Sequence, residues 1–368
     1  MRTQCGFRRV QGISMGDLYE RIYDLDNIFA AWDEVQKGKR TKKAFQKLSL
    51  RKEEVLISIQ NDLIWQTYKP GACHYFTVYE PKKRNIAAPS LYDRLVHHAA
   101  MRQLMPLFES YYHDSSFACR IGKGSLAACQ RYSEMQRKAI AKFGFHYWYI
   151  SMDLKGYFAS INHAILKSLL RRLIHDDQVI WLLDQIIDSF EPGIPLGFLP
   201  SQQEANLVGT YIDYFVTDIS GYPEYVRYMD DNRICCGSEE QAHELLEAID
   251  RMTWSKLDLR LSPSKTFIKQ FHGKDTFCSY VCCPHHLEPK PETVKRNLRR
   301  VRKKRELVDQ GLMPIEELQS STQDFLAYMK WCSWTDGARQ VIKASGLRII
   351  RGRKGLVATA EPRPKMSA

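Results

Sequence analysis

Two strand-like runs of this chain carry acidic residues at their ends, and these acids constrain its fold more than any other feature. "FHYWYISMD" is aromatic and β-branched and ends in Asp153. "YVRYMDDNRICCG" has the pattern of a β-hairpin with Asp230 and Asp231 at or near its turn. Carboxylates this close repel one another or shift their pKa values unless cations neutralise them. Asp is also common in turns, so a polar turn is the alternative to a metal site.

The segments around the acids alternate between helical and strand-like patterns. Asn162 is placed as the N-cap of "INHAILKSLLRRLI", and "QVIWLLDQIIDSF", "EANLVGTYIDYFVTDI" and "EEQAHELLEAIDRM" also have helical periodicity. Between them, "EPGIPLGFLPSQ" is rich in Gly and Pro and predicts a loop. Further apolar residues recur at helical spacing in 18–32 and 55–63. The chain therefore combines α and β structure.

The composition favours a polyanionic partner. The 368 residues include 54 Lys and Arg against 42 Asp and Glu, a formal net charge of +12, which makes nucleic acid the first candidate. The start "MRTQCGFRRVQG" has no apolar segment after its basic residues, and no run of about 18 apolar residues occurs. Ten cysteines without regular spacing predict reduced thiols. We therefore expect a soluble cytoplasmic protein.

The strongest basic cluster lies near the C-terminus. "KRNLRRVRKKR" has eight basic residues in eleven and no acid, with helical periodicity but a thin apolar face on Leu298 and Val301. This pattern predicts a solvated helix on a polyanion rather than a packed helix. The closing "GLRIIRGRKGLVATAEPRPKMSA" is polar and contains Pro at its end, and we expect it to be frayed.

Two other motifs have weaker chemical meaning. "CSYVCCPHH" has ligand types that suit zinc, but no second Cys/His pair lies at finger spacing, and the alternation in "FCSYVCC" is typical of a strand. Gly122 and Gly124 flank Lys123 but lack the spacing and the Lys-Ser/Thr ending of a Walker loop. We therefore interpret the first motif as a strand, with zinc as the alternative, and do not predict ATP hydrolysis.

Several motifs together resemble the reverse transcriptases. "DLKGYFASI", "PLGFLPSQQEAN", "YMDD" and "LSPSKT" occur in the order of that family's palm motifs, and "EPKKRNIAAPSLYDRLVHHA" and "FACRIGKGSLAA" look like its fingers. The resemblance covers roughly residues 41–329. It is strongest to the enzymes of diversity-generating retroelements, because Leu196, Gly197, Ser201 and Gln202 match their Gly-x-x-x-Ser-Gln core. Bacterial reverse transcriptases that act in phage defence share the same palm.

The resemblance implies an α+β fold of the right-hand polymerase type, with fingers, a palm of antiparallel sheet packed on helices, and a helical thumb. It implies the following boundaries: an N-terminal helical extension and the start of the fingers at 1–72, fingers at 73–145, palm at 146–284 with a fingers insertion at about 165–192, a basic helical thumb at 285–345 and a C-terminal tail at 346–368.

The resemblance also assigns roles to individual residues. It implies that Asp153, Asp230 and Asp231 bind metal, with the Leu154 carbonyl as a further ligand, and that Lys265 protonates the leaving pyrophosphate. The implied nucleotide contacts are Lys82, Arg84, Phe158, Leu196, Gly197, Ser201 and Gln202. Phe158 would exclude a ribose 2′-hydroxyl, although its spacing equally fits an ordinary core Phe. The implied nucleic-acid contacts are Arg94, Arg120, Lys123, Lys295, Arg296, Arg299, Arg300, Arg302, Lys303 and Lys304.

What such an enzyme would need follows from the same likeness. The expected cofactor is Mg²⁺, two ions per site, with Mn²⁺ as a substitute, and the expected partners are a template or noncoding RNA, cDNA, dNTPs and a small basic oligomeric accessory protein. Leu196 cannot make the hydrogen bond of the Gln that many relatives have there, which predicts error-prone copying.

The sequence departs from the family pattern after the acids, because Asn232 and Arg233 stand where relatives have an aromatic and aliphatic run. The other hypotheses are template-independent DNA synthesis and a nonenzymatic RNA-binding scaffold.

Overall fold

The computed structural model describes residues 17–38, 43–79, 83–352 and 355–362. The chain divides into two compact units. The first unit is drawn from Met1–Gly122, Ile150–Arg233 and Glu240–Ile268, and the second from Lys123–Tyr149, Ile234–Glu239 and Lys269–Ala368. Among the described residues, no helix combines the length and the apolar character that a membrane crossing requires.

Helices make up most of the regular structure. They are α1 (Leu18–Tyr23), α2 (Leu25–Gln36), α3 (Lys43–Ser49), α4 (Lys52–Ile64), α5 (Leu91–Tyr111), α6 (Ser125–Phe143), α7 (Tyr157–Ser160), α8 (His163–Leu173), α9 (Asp177–Asp188), α10 (Leu199–Tyr214), α11 (Glu239–Leu257), α12 (Pro291–Asp309), α13 (Ile315–Met329) and α14 (Asp336–Ser345). A π-helical turn, Phe215–Ile219, follows α10 directly.

The strands within the described residues form four sheets. They are β1 (His74–Val78), β2 (Arg84–Ala88), β3 (Trp148–Asp153), β4 (Tyr225–Tyr228), β5 (Asp231–Cys236), β6 (Phe267–Gln270), β7 (Asp275–Phe277), β8 (Tyr280–Cys282), β9 (Leu287–Pro289), β10 (Leu347–Gly352) and β11 (Gly355–Pro362). The largest sheet has the order β4-β5-β3-β6. β1–β2, β7–β8–β9 and β10–β11 are antiparallel. The predicted α+β fold with antiparallel sheets is confirmed.

Local sequence signals explain where several helices begin. The Asn162 side chain accepts hydrogen bonds from the backbone N–H groups of Ala164 and Ile165, as expected of the N-cap of α8. Ser90 and Asp176 cap α5 and α9 in the same way. α10 begins at Leu199 and so includes part of the segment predicted as a loop, because Pro is well suited to the first turn of a helix, where Pro200 lies.

The first unit has a helical core beside the sheet. α2 packs on α5 and α4, and α8 packs on α9 and α10. The side chains buried in these helices include aliphatic residues that are almost fully buried, among them Ile28, Ile59, Leu104 and Leu170, and Ile22 of α1 is buried as well. This burial at helical spacing matches the apolar periodicity of the N-terminal segments.

The second unit has its own core, which includes one face of the basic helix. Val294 and Val301 of α12 pack with Leu318 and Phe325 of α13 and with residues of α14, and Leu298 is partly buried there. The prediction that this helix is solvated rather than packed is wrong for that face. A narrow apolar stripe is enough here because two other helices cover it, while the basic residues occupy the rest of the surface.

The C-terminal segment and the "FCSYVCC" segment also differ from expectation. β10 and β11 form an antiparallel hairpin in which Leu347 and Ala358 are buried, so the prediction of a frayed tail is wrong for residues 347–352 and 355–362. The supposed single strand consists of the end of β7, a turn at Cys278 and Ser279, and β8. The φ of 46° at Cys278 makes that turn.

Candidate active site

The acids predicted from the sequence lie at the ends of neighbouring strands. β4 ends at Tyr228 and β5 begins at Asp231, so Met229 and Asp230 form the turn, with a φ of 59° at Met229. The predicted hairpin with acids at its turn is confirmed. β5 neighbours β3, and β3 ends at Asp153. The sheet thus brings an acid that is distant in sequence close to the turn.

The electrostatics of this cluster suit a cation. Burial raises the pKa of Asp230, and the charges of Asp153 and Asp231 raise it further, while Lys265 lowers it. Clustered carboxylates that raise one another's pKa are stabilised by a divalent cation, and carboxylate oxygens are the ligands that Mg²⁺ prefers. The residues present therefore fit Mg²⁺.

Lys265 contacts the first of these acids directly. Its Nζ lies 2.8 Å from Oδ1 and 2.7 Å from Oδ2 of Asp153, and this hydrogen bond raises the pKa of Lys265. The backbone holds the two together, because the N–H of Ser262 donates to the carbonyl of Asp153 at 2.8 Å and Leu261 forms a β-bridge with Leu154. The side chain of Leu154 is aliphatic, so only its backbone carbonyl oxygen could serve as a ligand. A cation that binds Asp153 therefore has to compete with the Lys265 ammonium group or share the carboxylate with it.

The side chain of Asn232 forms hydrogen bonds with the backbone of the β4–β5 turn and of β3. Its Nδ2 donates to the carbonyl of Asp230 at 2.8 Å and to the carbonyl of Met152 at 3.4 Å. Its Oδ1 lies 2.7 Å from the hydroxyl of Tyr225, which also lies 2.8 Å from Oδ1 of Asp213. Asn232 is fully buried. Asn232, which stands where relatives have an aromatic or aliphatic residue, therefore links the β4–β5 turn to β3.

A buried ion pair holds the strand before the turn. Arg227 is fully buried and donates to both oxygens of Asp213, from Nε at 2.6 Å and from Nη2 at 2.7 Å. Its remaining N–H groups contact the carbonyl of Met229 at 3.3 Å and the hydroxyl of Ser116 at 3.0 Å. Gly209 of α10 faces this group, and a Cβ there would lie 2.3 Å from Nη1. The guanidinium group needs that glycine for space.

Arg233 pairs with the third acid. Its Nη1 lies 2.6 Å from Oδ1 of Asp231, and the Arg233 side chain is 7% exposed against 37% for Asp231. A charged hydrogen bond of this length holds the Asp231 carboxylate beside the strand. Asp231 is therefore already engaged by a cationic side chain, whereas the nearby charge of Asp153 helps to raise the pKa of Asp230.

The segment that contains Leu196 and Gly197 lies against β2. Gly197 has a φ of 143°, and a Cβ there would lie 2.3 Å from the carbonyl oxygen of Ala87 and 3.0 Å from Ile86 Cγ2. Only glycine fits this approach. Leu196 is half-buried beside it, and β2 begins at the exposed Arg84. Leu196 and Gly197 thus lie beside the strand that begins at Arg84.

The other predicted nucleotide contacts differ in exposure. Phe158 is half-buried on α7, which differs from an ordinary core Phe, and Gln202 is exposed on the first turn of α10. Ser201 is 1% exposed. Arg94, which was predicted as a nucleic-acid contact, is half-buried on α5. Lys82 lies outside the described residues.

Arg120 is engaged within the protein. Its side chain is 6% exposed, its Nε donates to Glu109 at 2.9 Å, and its Nη1 donates to the carbonyl of His113 at 2.7 Å. The guanidinium group also lies over the ring of Tyr112. These contacts favour a structural role in fixing the loop before α6. Lys123, in the same loop, is half-buried.

The basic residues of α12 lie on the outer side of that helix, in the second unit. The exposed ones are Lys295, Arg296, Arg299, Arg300, Arg302 and Lys303. Lys304 is partly buried and donates to the carbonyl of Glu317 at 3.2 Å. The helix therefore presents a strongly cationic face suited to a polyanion.

Sequence reasoning missed the polar residues that support the site. Three of these residues lie in apolar segments of the sequence: Arg227, Asp213 and Tyr225. The signal that could have revealed them is the isolated Arg in "YVRY", because a charged residue in an apolar strand needs a buried partner of opposite charge. Glu204 and His97 were also missed. Both are almost fully buried, and burial raises the pKa of Glu204 to about 8 and lowers that of His97 to about 4.

The fold and the site define an α+β protein in which the sheet β4-β5-β3-β6 carries a cluster of acids. Comparison with known families identifies the class of protein to which it belongs. A model described as reverse transcriptase (RNA-dependent DNA polymerase) matches residues 69–295, which is more than half of the 368 residues. The chain belongs to the reverse transcriptase family. Members of this family are RNA-directed DNA polymerases, a class of nucleotidyltransferase.

Individual relatives are more distant. Protein YkfC of Escherichia coli (strain K12) is 25% identical over 202 residues, which are 50% of this chain and 52% of that protein. The chain thus spans about half the length of this curated relative. Telomerase from Candida albicans with a TWJ fragment of telomeric RNA aligns at 10% identity and TM-score 0.47, covering 77% of this chain and 64% of that one. Apo telomerase from Candida tropicalis aligns at 12% identity and TM-score 0.49, and the alignment covers 76% of this chain and 63% of that chain.

Proposed function

We propose that this chain is an RNA-directed DNA polymerase that copies a dedicated RNA into cDNA by two-metal nucleotidyl transfer. The observation that carries the proposal is the meeting of Asp153 with Asp230 and Asp231 at the β4–β5 turn, with Lys265 on the Asp153 carboxylate. Membership of the reverse transcriptase family supports the same chemistry. We place it in the cytoplasm of a bacterium, encoded either by the bacterium or by a phage.

The chain's own residues have distinct parts in this proposal. Asp153, Asp230 and Asp231 would hold two Mg²⁺ ions, with the Leu154 carbonyl, and the bound metal would activate the primer 3′-hydroxyl and stabilise the triphosphate. Lys265 Nζ carries a proton that it can give to the leaving pyrophosphate.

The substrates are held by other residues in this proposal. Arg84 and Lys82 bind the triphosphate, and Arg can do so with two parallel hydrogen bonds. Phe158, which is half-buried, excludes the ribose 2′-hydroxyl. The cationic face of α12 holds the template–product duplex through its backbone charge.

The subtype we propose is that of the diversity-generating retroelements, in which copying is error-prone. Leu196 supports this, because an aliphatic side chain beside the glycine that packs on β2 has no group to hydrogen-bond an incoming nucleotide. A repeat-containing template RNA and a small basic oligomeric accessory protein belong to the same proposal.

The subtype is tested by sequencing cDNA made by wild-type protein and by Leu196→Gln. We expect fewer substitutions in the Leu196→Gln product, with the largest change opposite template adenine. Leu50→Gln, at a residue that is 88% exposed, is the matched control and keeps the wild-type spectrum. Equal spectra for the wild type and Leu196→Gln contradict the assignment.

A second experiment separates copying from other modes of synthesis. The protein is purified with its nucleic acid, and both the RNA and the DNA are sequenced. Our proposal predicts DNA complementary to one bound RNA. DNA unrelated to any bound RNA, formed equally without template, contradicts it and identifies template-independent synthesis of the kind expected for a defence enzyme.

A further inference from the structure

Three side chains of types that can bind a metal ion lie together in the second unit, in a hairpin outside the candidate active site described above. Cys283, His286 and Glu288 each offer one ligand atom, and these atoms all lie within 4.8 Å of one another. Cys283 directly follows β8, His286 directly precedes β9, and Glu288 lies within β9. The three side chains therefore meet across a single β-hairpin.

The backbone of this turn is held in place independently of any ligand. The N–H of Cys283 donates to the carbonyl of His286 at 3.0 Å, and β8 pairs with β9 in antiparallel register. Two residues of α6 fix it from outside, because Gln136 donates to the carbonyl of Cys282 at 3.1 Å and Arg137 donates to the carbonyl of Pro284. A fixed backbone lowers the entropic cost of bringing three ligands together.

The ligand types indicate which metal fits. Thiolate, imidazole and carboxylate together suit Zn²⁺, whereas Mg²⁺ prefers oxygen ligands alone. Zinc bonds of about 2.0–2.3 Å bring ligand atoms within about 3–4 Å of one another. The His286 side chain is exposed and is free to make that small adjustment, while the Cys283 side chain is buried and fixed.

The neighbouring charges leave one carboxylate oxygen for the metal. Glu288 Oε2 lies 3.1 Å from Lys274 Nζ, and Glu288 Oε1 lies 3.4 Å from His286 Nε2. Lys274 therefore holds the far oxygen, and Oε1 is the oxygen that faces His286. Three protein ligands leave a fourth coordination position for water.

We propose that Cys283, His286 and Glu288 bind one Zn²⁺ ion that fastens the β8–β9 hairpin. The site is distinct from the acids of the candidate active site, and its ligands do not depend on the proposed polymerase activity. Because a folded-state ligand stabilises the state that binds it, zinc should raise the melting temperature of the full chain.

Cobalt is the probe that tests the ligand set. The full-length protein is stripped of metal and titrated with Co²⁺, whose bond to a thiolate gives a charge-transfer absorption, and Zn²⁺ is then added to displace it. We expect one equivalent of Co²⁺ to give this absorption in the wild type and Zn²⁺ to abolish it. The absorption should be lost in Cys283→Ser and retained in Cys332→Ser, a partly buried cysteine of the same unit.

A second variant covers the case in which Cys283→Ser does not fold. His286 is exposed, so His286→Ala should fold normally and weaken Zn²⁺ binding by about tenfold or more. At the same Zn²⁺ concentration its melting temperature should rise less than that of the wild type, whereas His272→Ala, at another exposed histidine, behaves like the wild type. The proposal is overturned if the wild type gives no thiolate–cobalt absorption, or if His286→Ala binds Zn²⁺ as tightly as the wild type.

Discussion

Asn232 donates a 2.8 Å hydrogen bond from its side-chain amide to the backbone carbonyl of Asp230, an acid of the proposed metal site. The same amide reaches the carbonyl of Met152, the residue before Asp153. One buried side chain therefore fixes the spacing between the two strand ends that carry the acids. Asn232 is thus a positioning residue.

Replacing Asn232 with Leu keeps its approximate volume but leaves the carbonyl of Asp230 and the hydroxyl of Tyr225 without this partner. We expect a loss of about 1–3 kcal/mol in the free energy of unfolding. Well below the melting temperature, we also expect slower primer extension and a higher Mg²⁺ concentration for half-maximal rate. The exposed Asn61→Leu is the control. A destabilised Asn232→Leu protein with the wild-type Mg²⁺ dependence would exclude a positioning role.

Replacing Gly209 with Ala should destabilise the protein, whereas the same change at an ordinary helical glycine stabilises it. Gly→Ala within a helix usually stabilises by about 0.5–1 kcal/mol. Here the new Cβ would lie 2.3 Å from Arg227 Nη1, and Asp213 prevents the guanidinium group from moving away. We expect Gly209→Ala to lower the free energy of unfolding by about 1–3 kcal/mol in denaturant titrations.

Gly337→Ala in α14 is the comparison, because the nearest atom to its new Cβ, a methyl group of Val294, lies at 3.2 Å and has to move by only a few tenths of an ångström. That variant should be close to neutral. Stabilisation by Gly209→Ala would mean that Arg227 is not held as described.

Much of this site follows from local sequence pattern, and part of it does not. The β4–β5 hairpin and the Asn162 cap depend on residues close in sequence, so their patterns predicted them. The contacts of Arg227 and Asn232 depend on which distant polar groups face them after folding, and composition alone predicts neither. The packed face of α12 was missed for a related reason, since its narrow stripe is buried only because α13 and α14 cover it.

Glu204 should make the protein less stable as pH rises. The residue is 2% exposed, and its Oε1 has no hydrogen-bond partner within the part of the chain that the structure describes. Burial raises its pKa to about 8, above the value of about 4.3 expected in the unfolded chain. Between these values the folded state binds more protons than the unfolded state, so stability falls with rising pH by up to about 1.4 kcal/mol per pH unit.

Glu204→Gln should remove this slope and stabilise the protein at pH 8. The measurement is the midpoint of urea unfolding from pH 5 to pH 8, with Glu53→Gln on the surface of α4 as the control. A Glu204→Gln protein that keeps the wild-type pH slope would show that another group is responsible.

Lys265 should raise the reaction rate and at the same time weaken the binding of Mg²⁺. Its ammonium group contacts both oxygens of Asp153, so it competes with a cation for that carboxylate. Lys265→Gln removes the competition and the proton donor together. We expect kcat to fall by about a hundredfold or more while the Mg²⁺ concentration for half-maximal rate decreases. The control is Lys256→Gln, at an exposed lysine of α11, which should change neither quantity. A Lys265→Gln variant that needs more Mg²⁺ than the wild type would contradict the competition between Lys265 and the cation.

The central claim is that Asp153 and Asp230 form one metal site for DNA synthesis on an RNA template. The most direct measurement is single-turnover extension of a DNA primer on RNA by the wild type, Asp153→Asn and Asp230→Asn, with binding of the primer–template measured separately. The exposed Asp177→Asn on α9 is the matched control. We predict that both site variants bind the primer–template but do not extend it above the level of a metal-free reaction, while the control extends normally. Wild-type extension by either site variant would contradict the account.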